Sequence, residues 1–304
     1  MALVAGDCPV HGMHAPPAPW RVLYPRLRAS QGFEPGAAFA VAVQPHRTQS
    51  RRSMMKPKRV LLSGLVWLCT VVPVANAGEV HMAVAANFVP VLQALAPEFE
   101  DQLDHRLVIT SGSTGKLYAQ IHQGAPFHVF LAADSEHPQR LEQAGLAVPG
   151  SRFTYAVGRL VLLGREEVVR RGLEGLLQTG VRRIALANRE ISPYGRAAHQ
   201  ALREAGLWQA VQPRVVWGEN VNQAFHYVMT GNADAGLVAL SQVAASSGGE
   251  LEMAHRYVPE DYYTAIVQQG VLLRRGQGHG AAQAFLHFIK GPRARDTIQR
   301  FGYR

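Results

Sequence analysis

From residue 78 onward, short apolar runs alternate with longer stretches whose apolar positions recur at helical spacing. The short runs predict strands over 80–86, 107–110, 129–133, 160–163, 184–187, 215–217 and 235–239, with an extended apolar run over 265–273. The longer stretches predict helices over 88–102, 117–123, 194–205, 221–230, 281–289 and 294–301. Strands that alternate with helices argue for an α/β architecture with mostly parallel sheets. No internal repeat or low-complexity stretch interrupts the pattern after residue 78. In open α/β sheets ligands bind beyond the carboxyl ends of strands, so the strand-to-helix junctions are where a site is expected.

The chain is formally +9, which by itself invites a nucleic-acid partner. The distribution of charge removes the invitation. Residues 1–77 hold nine Lys/Arg and two acids, whereas 78–304 hold 22 and 20, a net of about +2. Residues 1–53 are rich in Pro, Arg and Ala without a sustained period, and read as an extension outside the fold. A basic segment, Met54-Met55-Lys56-Pro57-Lys58-Arg59, precedes an apolar run from Val60 to Val74 and an Ala75-Asn76-Ala77 cleavage pattern. Residues 54–77 therefore read as a secretory signal peptide cleaved between Ala77 and Gly78. Its position places the functional start at Met54 or Met55. The run falls short of the roughly 20 apolar residues of a membrane span. Cys8 and Cys69 both precede residue 78, so the exported part has neither a disulfide framework nor a thiol nucleophile. Cys69 lies inside the apolar run behind Trp67-Leu68, which argues for a freely soluble protein over a lipid-anchored one.

Four junctions carry candidate chemistry. At Ala85-Ala86-Asn87-Phe88, small residues allow close backbone approach, and Asn87 offers either an amide donor or a plain helix cap. At Thr110-Ser111-Gly112-Ser113-Thr114-Gly115-Lys116-Leu117, glycines, hydroxyls and a helix start suit an anion cradle. It is not a nucleotide loop: two residues rather than four separate the glycines, and Leu117 follows the lysine where Ser or Thr is required. In Ile191-Ser192-Pro193-Tyr194-Gly195-Arg196, Ser192 caps and Pro193 suits the first helical turn, which puts Tyr194 at the helix mouth. In Gly218-Glu219-Asn220-Val221-Asn222, Val221 offers only its backbone N–H. Two junctions lie in each half of the chain, as a cleft between two lobes requires. Helix N-termini carry partial positive charge and unpaired N–H groups, and can hold a dianion without Lys or Arg.

Catalytic readings find less support. There is no G-x-S-x-G and no H-E-x-x-H pattern. His81, His105, His122, His128 and His137 lack metal-ligand spacing and read as surface or packing residues. Tyr262-Tyr263 has the chemistry of a ferric-iron ligand pair, but reads better as a strand approaching a lobe crossover.

The same segments resemble the periplasmic molybdate-binding proteins of ABC importers across nearly all of 79–304. VHMAVAANFVPVLQALAPEFE resembles that family's first strand, binding loop and helix, and SGSTGKLYAQIHQGAPFHVFLAAD its second binding loop. ALANREISPYGRAAHQALREAGLW and GENVNQAFHYVMTGNADAGLVALSQV resemble its second-lobe segments, and AFLHFIKGPRARDTIQRFGYR its C-terminal helices.

The resemblance implies a two-lobed type II periplasmic binding protein fold with a ligand cleft between the lobes. Lobe 1 is expected over 79–157 plus 258–304, and lobe 2 over 158–257. It further implies that Asn87, Ser113, Thr114, Tyr194 and Val221 bind a molybdate or tungstate oxyanion, Tyr194 and Val221 through backbone N–H groups. No bare metal cation and no cofactor are expected. The implied protein is a periplasmic monomer that delivers its solute to a membrane permease, and is not an enzyme. One position departs from the pattern. Some family members carry a ligand-contacting tyrosine after the Gly236-Leu237-Val238 strand, where this chain has Ala239. The Tyr194 hydroxyl is the expected replacement. The competing readings are a carrier of sulfate, phosphate or ferric iron and, from another class, an exported hydrolase.

Overall fold

The computed structural model describes residues 78–246 and 253–304. The expected extension 1–53, the expected signal peptide 54–77 and both cysteines lie outside the described residues. The first stretch runs β1 (Glu79–Ala85), α1 (Val89–Leu103), β2 (Arg106–Gly112), α2 (Thr114–His122), β3 (Val129–Ala132), α3 (Glu136–Gln143) and β4 (Phe153–Gly158). It continues with β5 (Leu160–Gly164), α4 (Glu166–Val169), β6 (Ile184–Ala187), α5 (Pro193–Glu204), α6 (Trp208–Val211) and β7 (Val215–Gly218). Then come α7 (Val221–Met229), β8 (Ala235–Ala239), α8 (Leu240–Ser246) and β9 (Ala254–Tyr257). The chain closes with β10 (Ile266–Leu272), α9 (Gly280–Ile289) and α10 (Pro292–Arg300).

The strands form two five-stranded sheets, β2-β1-β3-β10-β4 and β7-β6-β8-β5-β9. The chain crosses between them twice, from β4 to β5 and from β9 to β10. This corrects the expectation of mostly parallel sheets. Within each sheet β1 pairs in parallel with β2 and β3, or β6 with β7 and β8. However, β10 runs against β3 and β4, and β5 runs against β8 and β9. The strands that receive the chain from the other sheet are the ones that run against their neighbours. The helix-linked strands keep the parallel βαβ arrangement that places their carboxyl ends at one edge.

Burial explains why these segments form these elements. Strands β3, β6 and β8 are buried along their whole length, as strands covered on both faces must be. Helix α1 buries Val91, Leu92, Leu95 and Phe99, one stripe at helical spacing, against the first sheet. Phe99 meets Phe285 of α9 edge to face at 5.5 Å. Each such side chain removed from water contributes about 1.5–3 kcal/mol. Helix α5 uses Ala197, Ala198, Ala201 and Leu202 in the same way on the second sheet. Tyr262 ends a 3-10 turn, Glu260–Tyr262, rather than lying in a strand, because Pro259 enters the segment without an N–H to pair. The Tyr263 hydroxyl accepts from the Leu160 N–H at 3.2 Å and so fastens the crossover.

Candidate functional site

All four junctions meet at one cavity. Its lining comes from 85–87, 112–114, 192–194 and 220–221, together with Ala133. Asn87, Ser113, Thr114, Tyr194 and Val221 are all among these residues, and all are buried. The cavity volume is about 10 Å³. Only a compact solute of a few atoms fits such a space. Among the described residues none that lines it is charged.

The local geometry shows what each residue can offer. Ser113 is the N-cap of α2 but makes no capping bond. Its Oγ is buried without a hydrogen-bond partner. The caps of the other two helices behave ordinarily. Ser192 accepts from the Gly195 N–H at 3.4 Å, and Asn220 from the Gln223 N–H at 3.1 Å. Thr114 Oγ1 accepts from the Ala133 N–H at 3.0 Å. A hydroxyl that accepts on one side keeps its proton to donate on another. Tyr194 and Val221 lie in the first turns of α5 and α7, where backbone N–H groups have no intrahelical acceptor. The site is therefore a set of neutral donors at three helix N-termini, with the partial positive charge those termini carry.

Asn87 does not take one of its two expected roles, that of a cap. It caps no helix, since the cap positions beside it make no side-chain bond. Both of its amide hydrogens are engaged, one by Gln268 Oε1 at 2.9 Å and one by Tyr303 Oη at 2.8 Å. This leaves the side chain no N–H for a ligand. The Tyr194 hydroxyl, expected to stand in for the residue missing at Ala239, is engaged by Gln268 and Tyr303. It accepts from Gln268 Nε2 at 3.2 Å, beside Gly158 where the chain crosses between sheets. Burial pushes the hydroxyls of Tyr155, Tyr194 and Tyr303 above the ordinary phenol range, so all three stay protonated.

Direct contacts join the two halves around the cavity. The Gly115 N–H donates to the Ile191 carbonyl at 2.9 Å. Added side-chain bulk at Gly115 would meet the Ile191 backbone at 3.1 Å, so a glycine is needed for this approach. Lys116, the residue that gives the second loop its likeness to a phosphate loop, pairs with Glu219 at 2.6 Å. On another side Arg196 meets Asp134 at 2.8 Å, and His137 meets the same carboxylate at 2.8 Å. Burial raises the Asp134 carboxyl, but the bonds from His137 and the charges of His137 and Arg196 outweigh it and hold the group below the usual range. These cations join the two halves and do not line the cavity.

Comparison with known proteins decides the family. A family model described as "Bacterial extracellular solute-binding protein" matches residues 80–304. This chain belongs to that family. Among curated solute-binding relatives, the molybdate-binding protein ModA of Rhodobacter capsulatus is 41% identical over 229 residues, covering 75% of this chain and 89% of that one. ModA of Azotobacter vinelandii is 43% identical over 232 residues, covering 75% and 91%. The solved periplasmic molybdate-binding protein of Azotobacter vinelandii superposes with a TM-score of 0.70 at 40% identity, covering 74% of this chain and 99% of its own. The fold is the two-lobed type II periplasmic binding protein fold.

Gln268, Tyr155, Tyr303 and Ser241 surround the site and were not anticipated from sequence. Gln268 left a signal, a polar pair in the apolar run Ile266-Val267-Gln268-Gln269-Gly270-Val271-Leu272. Ser241 and Tyr303 left none, because Ser241 reaches Asn87 from the second lobe and Tyr303 reaches it from the far end of the chain.

Proposed function

We propose that this chain is a periplasmic binding protein that captures molybdate or tungstate and delivers it to the membrane permease of an ABC importer. It acts by binding and not by catalysis, as an exported monomer released by cleavage between Ala77 and Gly78. Its lobes are 79–157 plus 258–304 and 158–257. Asn87, Ser113, Thr114, Tyr194 and Val221 surround the anion, with Asn87 holding the first loop in place. The observation that carries this reading is the buried, unpartnered Ser113 hydroxyl in a small uncharged cavity where three helices begin. Such a site suits a fully deprotonated oxyanion, which needs donors only. The molybdate-binding relatives at 41% and 43% identity support the choice of metal.

The energetics are consistent with this. Four donors, the Ser113 and Thr114 hydroxyls and the Tyr194 and Val221 N–H groups, give about 6–12 kcal/mol at roughly 1.5–3 kcal/mol each. Micromolar binding requires about 8 kcal/mol, after ordering losses. Thermal melting with added anions tests the proposal. Molybdate and tungstate at about a hundredfold above Kd stabilise by about 2.7 kcal/mol, a shift of roughly 5–10 °C for a chain of this size. No shift with either anion would overturn it.

A further inference from the structure

Gln268 lies in the middle of β10, fully buried, and its amide touches both lobes. On the first-lobe side its Oε1 accepts from Asn87 Nδ2 at 2.9 Å and from the Tyr155 hydroxyl at 3.0 Å. On the second-lobe side its Nε2 donates to the Tyr194 hydroxyl at 3.2 Å. Local irregularities make room for this. The β10–β4 register passes from Gln268↔Ala156 to Gln269↔Thr154, so Tyr155 is the extra residue of a bulge, a device that re-aims a side chain. Gly158 is bare where any side chain would overlap the Tyr194 hydroxyl and come within 2.6 Å of Gln268 Nε2.

A buried amide is costly to leave unpaired. The second-lobe partner of Gln268 is in reach only when Tyr194 is carried up to the first lobe. Tyr194 belongs to the turn of α5 whose N–H groups face the cavity, and Asn87 to the first ligand loop. The amide therefore links two of the four ligand loops, one from each lobe, behind the anion.

Resting on the proposed capture of an oxyanion, we propose that Gln268 is a positioning residue for that capture. It fixes the Asn87 loop and, through the Tyr194 hydroxyl, locks the second lobe in the closed position, slowing release of the ligand. It does not touch the anion.

A double-mutant cycle on the full protein tests this, using Gln268→Met, which keeps length and loses the amide, and Tyr194→Phe, which keeps the backbone N–H and loses the hydroxyl. The readouts are the molybdate dissociation rate and the melting temperature of the ligand-free protein. Each single change is expected to speed release about three- to tenfold, the effect of one neutral hydrogen bond. The double variant is expected to release no faster than Gln268→Met alone, because the link to the Tyr194 hydroxyl is already lost there. Ligand-free melting is expected to stay within about 2 °C of the parent for Tyr194→Phe, whereas Gln268→Met also orphans the Asn87 and Tyr155 donors and is expected to melt lower. Multiplying effects, unchanged release, or a loss of ligand-free stability in Tyr194→Phe that matches its loss of binding would each overturn the proposal. Should Gln268→Met fail to fold, Gly158→Ala replaces it, since the added methyl displaces the Tyr194 hydroxyl while both partners remain. A parent protein that binds sulfate or phosphate but not molybdate would overturn the proposed ligand, and the cycle is then read with that anion. A parent that binds none of the three would overturn both.

Discussion

Ser113→Ala separates ligand binding from folding more cleanly than any other change at the site. In most buried positions, loss of a hydroxyl orphans its partner and lowers stability along with function. Ser113 Oγ has no partner to orphan, and the residue makes no capping bond to α2. Its removal should leave ligand-free stability unchanged or slightly raised, because an unsatisfied buried hydroxyl costs about 1–3 kcal/mol. Affinity should move the other way. A hydrogen bond to a charged acceptor is worth about 1.5–3 kcal/mol, or about ten- to a hundredfold in Kd. Thr114→Ala is the contrast. It loses a comparable donor but also the acceptor of the Ala133 N–H, so both affinity and melting temperature should fall. The assay is a molybdate titration paired with a ligand-free melt for each variant. Ser113→Ala that binds molybdate as tightly as the parent, or that melts as low as Thr114→Ala, would refute the assignment of this hydroxyl to the ligand.

Three further outcomes follow from the same geometry. Val221 is the first residue of α7, a position that tolerates proline; Val221→Pro should fold yet bind molybdate at least about tenfold more weakly, while Val221→Ala binds nearly as the parent does in the same titration. Gly115→Ala puts a methyl against the Ile191 backbone and should hinder closure, so scattering with and without molybdate should show less compaction than in the parent, with ligand-free melting unchanged. Burial, together with the nearby His279, His81 and Arg275, pushes the His128 imidazole below its ordinary value; the stability this contributes is present above about pH 6.5 and is lost as pH falls through the lower folded pKa. His128→Gln should therefore flatten the decline in melting temperature below about pH 6.5.

Much of the site was legible in the sequence because it sits at strand-to-helix junctions, which local patterns mark. Pro193 after Ser192 announces the start of α5, and Gly112 through Gly115 announces the start of α2. What sequence could not show is which distant polar side chains the fold brings together. Asn87 has the chemistry of either a cap or a donor, but its partners Gln268 and Tyr303 lie 181 and 216 residues away. Lys116 suggests an anion contact, and its actual partner Glu219 is 103 residues distant. The antiparallel strands escaped for a related reason. Apolar periodicity reports that a strand is buried, not which way its neighbour runs. Strand β9 was missed altogether because Ala254-His255-Arg256-Tyr257 is a mostly exposed edge with no apolar run to mark it.

In the proposed function, neutral donors in a small buried cavity hold a molybdate-sized dianion. Calorimetric titration of the protein with molybdate, tungstate, sulfate and phosphate tests it most directly. One-to-one binding of molybdate and tungstate is expected at micromolar Kd or tighter, about 8 kcal/mol or more, with sulfate and phosphate far weaker. Equal affinity for molybdate and sulfate, or no heat with molybdate or tungstate, would contradict it.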